Sequence, residues 1–222
     1  MDHEAAGMTV QPSQPGQAGQ SVGRSRSATA EYQGGPAESQ GSPAEPGVDE
    51  LISVPTAEQM RTLGRRLAGL LRAGDLVVLT GPLGAGKTTL TQGIGAGLGV
   101  RGSVTSPTFV IARVHPSLSA GPDLVHADAY RLGSRAEVDD LDLDTDLATA
   151  ITVVEWGEGL VEDLAPSFLS VRICADEPAA GADRDDAGEA DIRRTVRVRG
   201  WGERWRDPAV ADATRLALAD LN

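Results

Sequence analysis

The sequence predicts an α/β domain with a mixed, mainly parallel sheet flanked by helices. Three observations carry this reading. Candidate strands alternate with helices through the first half of the folded region. Leu76-Val77-Val78-Leu79 is an unbroken apolar run, as expected of a strand buried on both faces. Two apolar segments near the end, Phe168–Ile173 and Ile192–Val198, read as a β-hairpin that makes the sheet mixed.

The elements follow in order. Residues 1–50 read as a disordered tail, because 25 of the 50 are Gly, Pro, Ser or Gln. Such a segment buries too little surface to offset its ordering entropy. From residue 51 the composition changes, and residues 51–207 are assigned to one domain. Thr56 with Gln59 fits a capping box, and Met60, Leu63, Leu67, Leu70 and Leu71 recur at helical spacing before Gly74. After the apolar run comes a glycine-rich turn. A helix from about Thr88 to Leu98 follows, weakened by Gly93, Gly95 and Gly97. Further strands are expected at Thr108–Val114, Leu124–His126 and Ile151–Val154. The segment 175–191 holds seven acids and no large apolar residue, and reads as a flexible insertion within the hairpin. Val171 and Ile173 are expected on one arm and Val196 and Val198 on the other. Pro208 opens a last helix, 208–222, with Val210, Leu216, Leu218 and Leu221 as its apolar positions.

Composition narrows the function. The net charge of −12 argues against coating a nucleic acid or an anionic membrane. Removing the tail leaves 25 acids against 18 bases, still acidic but less so. One cysteine, Cys174, excludes an internal disulfide, and no Cys/His cluster has zinc spacing. With no signal peptide and no apolar run of membrane-spanning length, a cytoplasmic location is expected. Of 20 basic residues only one is a lysine, Lys87.

That lysine lies in Gly81-Pro82-Leu83-Gly84-Ala85-Gly86-Lys87-Thr88, the P-loop pattern of Gly, four free positions, Gly, Lys and Ser or Thr. A buried-type strand precedes it and a helix follows it, so the fold class sharpens to a single P-loop NTPase domain. Backbone N–H groups of such a loop, with the helix N-terminus behind them, suit phosphate oxygens. Gly81, Leu83, Gly84, Ala85, Gly86, Lys87, Thr88 and Thr89 are the expected nucleotide-binding positions. Lys87 is expected to be exposed at the loop and to reach the β- and γ-phosphates of ATP. The Thr88 hydroxyl would ligate Mg²⁺. Two acids, Glu155 and Asp128, follow apolar runs and are expected at the carboxyl edge of the sheet. Either could hold the metal while the other orients water; both are candidate catalytic and metal residues with Lys87. The cluster Asp139, Asp140, Asp142, Asp144 and Asp146 suits an exposed loop or helix face. Ser106 and Thr108 could sense the γ-phosphate as a switch-like segment, or simply form a turn into a strand. His115 and His126 could be acid/base groups, although lone histidines near strands are more often structural. Trp156, Trp201 and Trp205 suit core or interface positions.

Taken together, GPLGAGKTTL at Gly81–Leu90, SPTF at Ser106–Phe109, H-x-D-x-Y-R at His126–Arg131 and Val154-Glu155-Trp156 with Gly157-Glu158 resemble the TsaE (YjeE) family. The resemblance covers about residues 53 to 206. It implies a small ATPase of tRNA threonylcarbamoyladenosine biosynthesis that binds ATP with Mg²⁺, hydrolyses it slowly alone, and works with a TsaB–TsaD complex acting on tRNA. It further implies that Thr88 and Glu155 are metal-associated and that Asp128 is a second acid. Ser106 and Thr108 would be switch-like, and Trp156 a functionally sensitive neighbour of Glu155. The chain departs from the family in its tail, in the 175–191 insertion, and at Ala129, where leucine is frequent.

A GTPase of the usual type needs Asn-Lys-x-Asp to read guanine, and with Asn only at 222 and Lys only at 87 that signature cannot exist here. The alternative is a P-loop small-molecule kinase, with Arg193, Arg194, Arg197, Arg199, Arg204 and Arg206 supplying a mobile lid. A solvated face or partner surface is the simpler reading of those arginines. Direct tRNA contact is expected to fall mainly to the partners.

Overall fold

The computed structural model describes residues 45–107, 111–139, 147–175 and 194–219. Seven strands form one sheet: β1 (Val48–Ser53), β2 (Leu76–Thr80), β3 (Ala112–His115), β4 (Leu124–Asp128), β5 (Ile151–Glu155), β6 (Phe168–Ala175) and β7 (Arg194–Trp201). Their spatial order is β1-β7-β6-β2-β5-β4-β3. The central four, β6, β2, β5 and β4, are mutually parallel. Antiparallel strands close both sides, with β3 on β4 at one edge and β7 then β1 at the other. The helices are α1 (Ala57–Ala68), α2 (Lys87–Leu98), α3 (Arg135–Asp139), α4 (Glu203–Arg206) and α5 (Pro208–Ala219). No described helix is long and apolar enough to cross a membrane.

Alternation along the central strands divides the interior in two. Val77, Leu79, Val153 and Val171 face a large cluster with Leu63 and Leu67 of α1, Leu90 and Ile94 of α2, Trp205 of α4 and Leu218 of α5. Leu76, Val78, Val125 and Val154 face a smaller cluster with Val138 and Val161. A strand buried on both faces cannot afford a polar residue on either, which explains the unbroken apolar run in β2.

Several sequence expectations hold at the level of single contacts. Gln59 N donates to Thr56 Oγ1 (3.1 Å) and Thr56 N to Gln59 Oε1 (3.2 Å), completing the capping box. In the β6–β7 hairpin Val171 pairs with Val198 and Ile173 with Val196. The glycines of α2 do more than weaken it, because they let α1 come close. A Cβ on Gly93 would sit 2.3 Å from the Arg61 carbonyl oxygen, and one on Gly64 2.4 Å from that of Leu90.

Other expectations are corrected. β1 begins at Val48, inside the segment read as tail, and pairs along its length with β7. Helix α1 ends at Ala68, so Leu70 and Leu71 lie beyond it. β3 is described from Ala112, preceded by Ile111 with φ 71°, and residues 108–110 of the expected strand lie outside the described residues. β4 and β5 extend to include Asp128 and Glu155, because both residues remain in register with each other. On α5 the buried face is Ala211, Thr214 and Leu218, whereas Leu216 is 74% exposed. The 175–191 insertion, apart from Ala175, and most of the aspartate cluster lie outside the described residues, as does Leu221.

Candidate nucleotide site

The site forms where β2 hands the chain to α2. Gly81 has φ 151°, and a Cβ there would lie 2.5 Å from the Ile173 carbonyl oxygen; Gly86, with φ 112°, caps the helix. Both motif glycines are therefore required by the backbone. Leu83 at the loop tip is 92% exposed, Gly84 is exposed, Ala85 is buried and Thr89 is half-buried.

Lys87 is not exposed, contrary to the sequence expectation; it is 5% accessible. Its Nζ donates to the carbonyl oxygens of Gly81 (2.8 Å) and Pro82 (3.0 Å) and lies 3.8 Å from the centre of the Trp156 ring. The turn after β5 explains the covering. Trp156 has φ 61°, a left-handed conformation uncommon for a bulky residue, and its N–H donates to Leu79 O at 2.8 Å. That turn folds the indole back over the loop, where its negative π-face meets the ammonium. Tyr130 flanks the indole with ring centroids 5.2 Å apart. Burial pulls the Lys87 pKa below its ordinary value, opposed by the nearby carboxylates of Glu155 and Asp128.

The two acids lie side by side at the carboxyl ends of adjacent parallel strands, both buried. Glu155 Oε1 accepts from the Thr88 hydroxyl at 2.9 Å, joining β5 to the first turn of α2. The same oxygen is 2.9 Å from His126 Nε2. Asp128 Oδ1 accepts from Tyr130 N at 2.9 Å. Lys87, Thr88, Glu155, Asp128 and Trp156 are thus brought together around the loop. Ser106 is exposed on the connection between α2 and β3, and Thr108 lies outside the described residues.

His126 is the residue whose part sequence reasoning missed. The signal was available: His126 and Asp128 stand two apart on a strand, hence on one face, in an otherwise apolar run. His115 lies behind it, ring centroids 6.5 Å apart, and its burial chiefly lowers its pKa.

Hydroxyl and carboxylate oxygens at this spacing are hard donors of the kind Mg²⁺ prefers. Among the described residues no three His, Cys, Asp or Glu side chains converge into a closed metal cage. Of the arginines proposed as a lid, Arg197 and Arg199 pair with Asp49 and Arg204 with Asp75, while Arg206 donates to the Glu45 carbonyl.

Comparison with known proteins places the chain in a family. The family described as threonylcarbamoyl adenosine biosynthesis protein TsaE matches residues 54–184. A tRNA threonylcarbamoyladenosine biosynthesis protein TsaE from Streptomyces coelicolor is 62% identical over 159 residues, covering 71% of this chain and 99% of that one. Its Mycobacterium tuberculosis counterpart is 52% identical, over 54% of this chain and 76% of the relative. The crystal structure of Bacillus subtilis YdiB superposes with a TM-score of 0.55 at 26% identity, covering 76% of this chain and 95% of that one. With the family matched over more than half of its length, the chain belongs to the TsaE family of tRNA threonylcarbamoyladenosine biosynthesis proteins.

Proposed function

We propose that this chain binds ATP with Mg²⁺ and hydrolyses it slowly alone, in support of threonylcarbamoyl transfer to adenosine 37 of tRNA by a TsaB–TsaD-type complex. The observation that carries the reading is the 2.9 Å contact between Thr88 Oγ1 and Glu155 Oε1, which joins the P-loop helix to an acid at a strand end. Bound Mg²⁺ would neutralise charge on the β- and γ-phosphates, with Thr88 and Glu155 as its protein ligands. Gly81 and Leu83 through Thr89 would cradle the phosphates with backbone N–H groups. Lys87 leaves the Gly81 and Pro82 carbonyls for phosphate oxygens, exchanging neutral acceptors for charged ones. Asp128 orients the water that attacks the γ-phosphorus. The bond from that phosphorus to the bridging oxygen breaks, and ADP and inorganic phosphate leave.

Ser106 and Thr108 are assigned to the switch-like segment, Trp156 to the role of a functionally sensitive neighbour of Glu155, and the protein to the cytoplasm. Transfer RNA is engaged through the partners. The kinase alternative loses support because three of its six lid candidates, Arg197, Arg199 and Arg204, are held by Asp49 and Asp75. An ATPase assay with and without purified TsaB and TsaD tests the reading. Slow turnover alone and faster turnover in the mixture are expected. No association, no stimulation and phosphate transfer to a metabolite would establish the kinase instead.

A further inference from the structure

β4 is buried along its whole length, and an apolar side chain at position 126 would pack there without the desolvation an imidazole carries. His126 occupies that position with no accessible surface. Register places it opposite Val153, with Asp128 opposite Glu155, so His126 and Glu155 share one face of the sheet. Glu155 Oε1 therefore meets two groups, the Thr88 hydroxyl and His126 Nε2, each at 2.9 Å. With a carboxylate oxygen as the acceptor, Nε2 is the donor in this contact. The other ring nitrogen, Nδ1, is buried and has no hydrogen-bond partner among the described residues. Of its two nitrogens, the ring uses the one turned to Glu155.

We propose that His126 is a positioning residue of the nucleotide site. Its Nε2–H holds Glu155 Oε1 beside the Thr88 hydroxyl, so that the two oxygen donors are already set when a metal–nucleotide complex arrives. The inference rests on the ATP–Mg²⁺ reading above and adds a residue that acts through Glu155 rather than on the nucleotide. A ring that only filled space would leave the carboxylate's orientation to Thr88 alone.

The test measures affinity of the full chain for a non-hydrolysable ATP analogue, with and without Mg²⁺, by calorimetry. His126→Phe keeps an aromatic ring and removes the donor; His126→Gln retains an N–H group near the Nε2 position. The Phe variant is expected to lose about tenfold of the Mg²⁺-dependent gain in affinity, as removal of an outer partner of a metal ligand commonly does. Its affinity without Mg²⁺ should be unchanged, and the Gln variant should recover most of the gain. In a Glu155→Ala background, His126→Phe should have no further effect. A full Mg²⁺ gain in the Phe variant, or an equal loss in the Glu155→Ala background, would overturn the proposal. Should the Phe variant fail to fold, nitrogen-15 NMR of the wild-type histidines decides: a hydrogen on Nε2 is expected, and a bare Nε2 overturns the assignment. Absence of any nucleotide binding by the wild-type chain would instead sink the ATP reading itself.

Discussion

The two ends of β2 treat buried charge differently. At the amino end, Arg204 Nε and Nη2 donate to the two oxygens of Asp75 at 2.6 and 2.9 Å, and Nη2 also donates to Leu70 O at 2.6 Å. Arg72 N donates to Asp75 Oδ2 at 2.9 Å. Each oxygen of the carboxylate is matched, and the planar fork of arginine suits that bidentate geometry. At the carboxyl end, Lys87 rests on two carbonyl oxygens and an aromatic face, while Glu155 is met by a hydroxyl and an imidazole. The lysine and the acids share one neighbourhood, in which both Glu155 and Asp128 act on the Lys87 charge. A closed pair at one end is structural; Lys87, which rests on two carbonyl oxygens, can exchange them for phosphate oxygens at small cost.

The comparison can be broken by substitution. The largest effect is expected from Lys87→Ala, which should lower ATP turnover by about a hundredfold or more. Its melting temperature should stay close to wild type, because burial already disfavours the charged ammonium. Steady-state turnover with a thermal melt checks both, and unchanged turnover would remove the basis for the P-loop assignment. Next is Arg204→Ala, which strands the Asp75 carboxylate in the interior. About 3–5 kcal/mol of stability should be lost, read from denaturant midpoints, with little change in nucleotide affinity of the fraction that remains folded. A loss below 1 kcal/mol, on the order of an exposed pair, would show that the Asp75 end is not the closed structural pair described.

The smallest effect belongs to Arg197→Ala at the partly exposed pair with Asp49, a small loss of stability that salt reduces further. Here the sign with pH is defined. The hydrogen bond from Arg197 leads the causes that hold the Asp49 pKa below its ordinary value. Its contribution is thus present above the unfolded carboxylate range and lost as pH falls through the lower folded value. Denaturant midpoints of wild type and Arg197→Ala should differ at pH 7 and converge in strong acid. A difference that widens with acid would contradict the assignment.

Much of the site was legible because its signals are local. The P-loop needs glycines at fixed offsets, a lysine and a hydroxyl within eight consecutive residues, and all are consecutive in the chain. Glu155 and Asp128 were legible because each ends an apolar run. Edge strand β1 was not, since Asp49, Glu50 and exposed Leu51 interrupt Val48 and Ile52. What holds it is pairing with β7 and the contacts of Arg197 and Arg199 with Asp49, all distant in sequence. The buried face of α5 escaped for a similar reason. Thr214 is buried because its hydroxyl donates to Val210 O, while the more apolar Leu216 faces outward.

From its sequence alone, this protein's phosphate loop, its α/β class, the two arms of its hairpin and its family resemblance could be derived. Each depends on short-range spacing or on apolar periodicity. Only the tertiary structure decided that Lys87 is buried under Trp156, that β1 belongs to the sheet, and that Glu155 is held between Thr88 and His126. Those outcomes arise where strands far apart in the chain become neighbours. There a residue's partners are set by the order and register of the sheet, which no local pattern encodes.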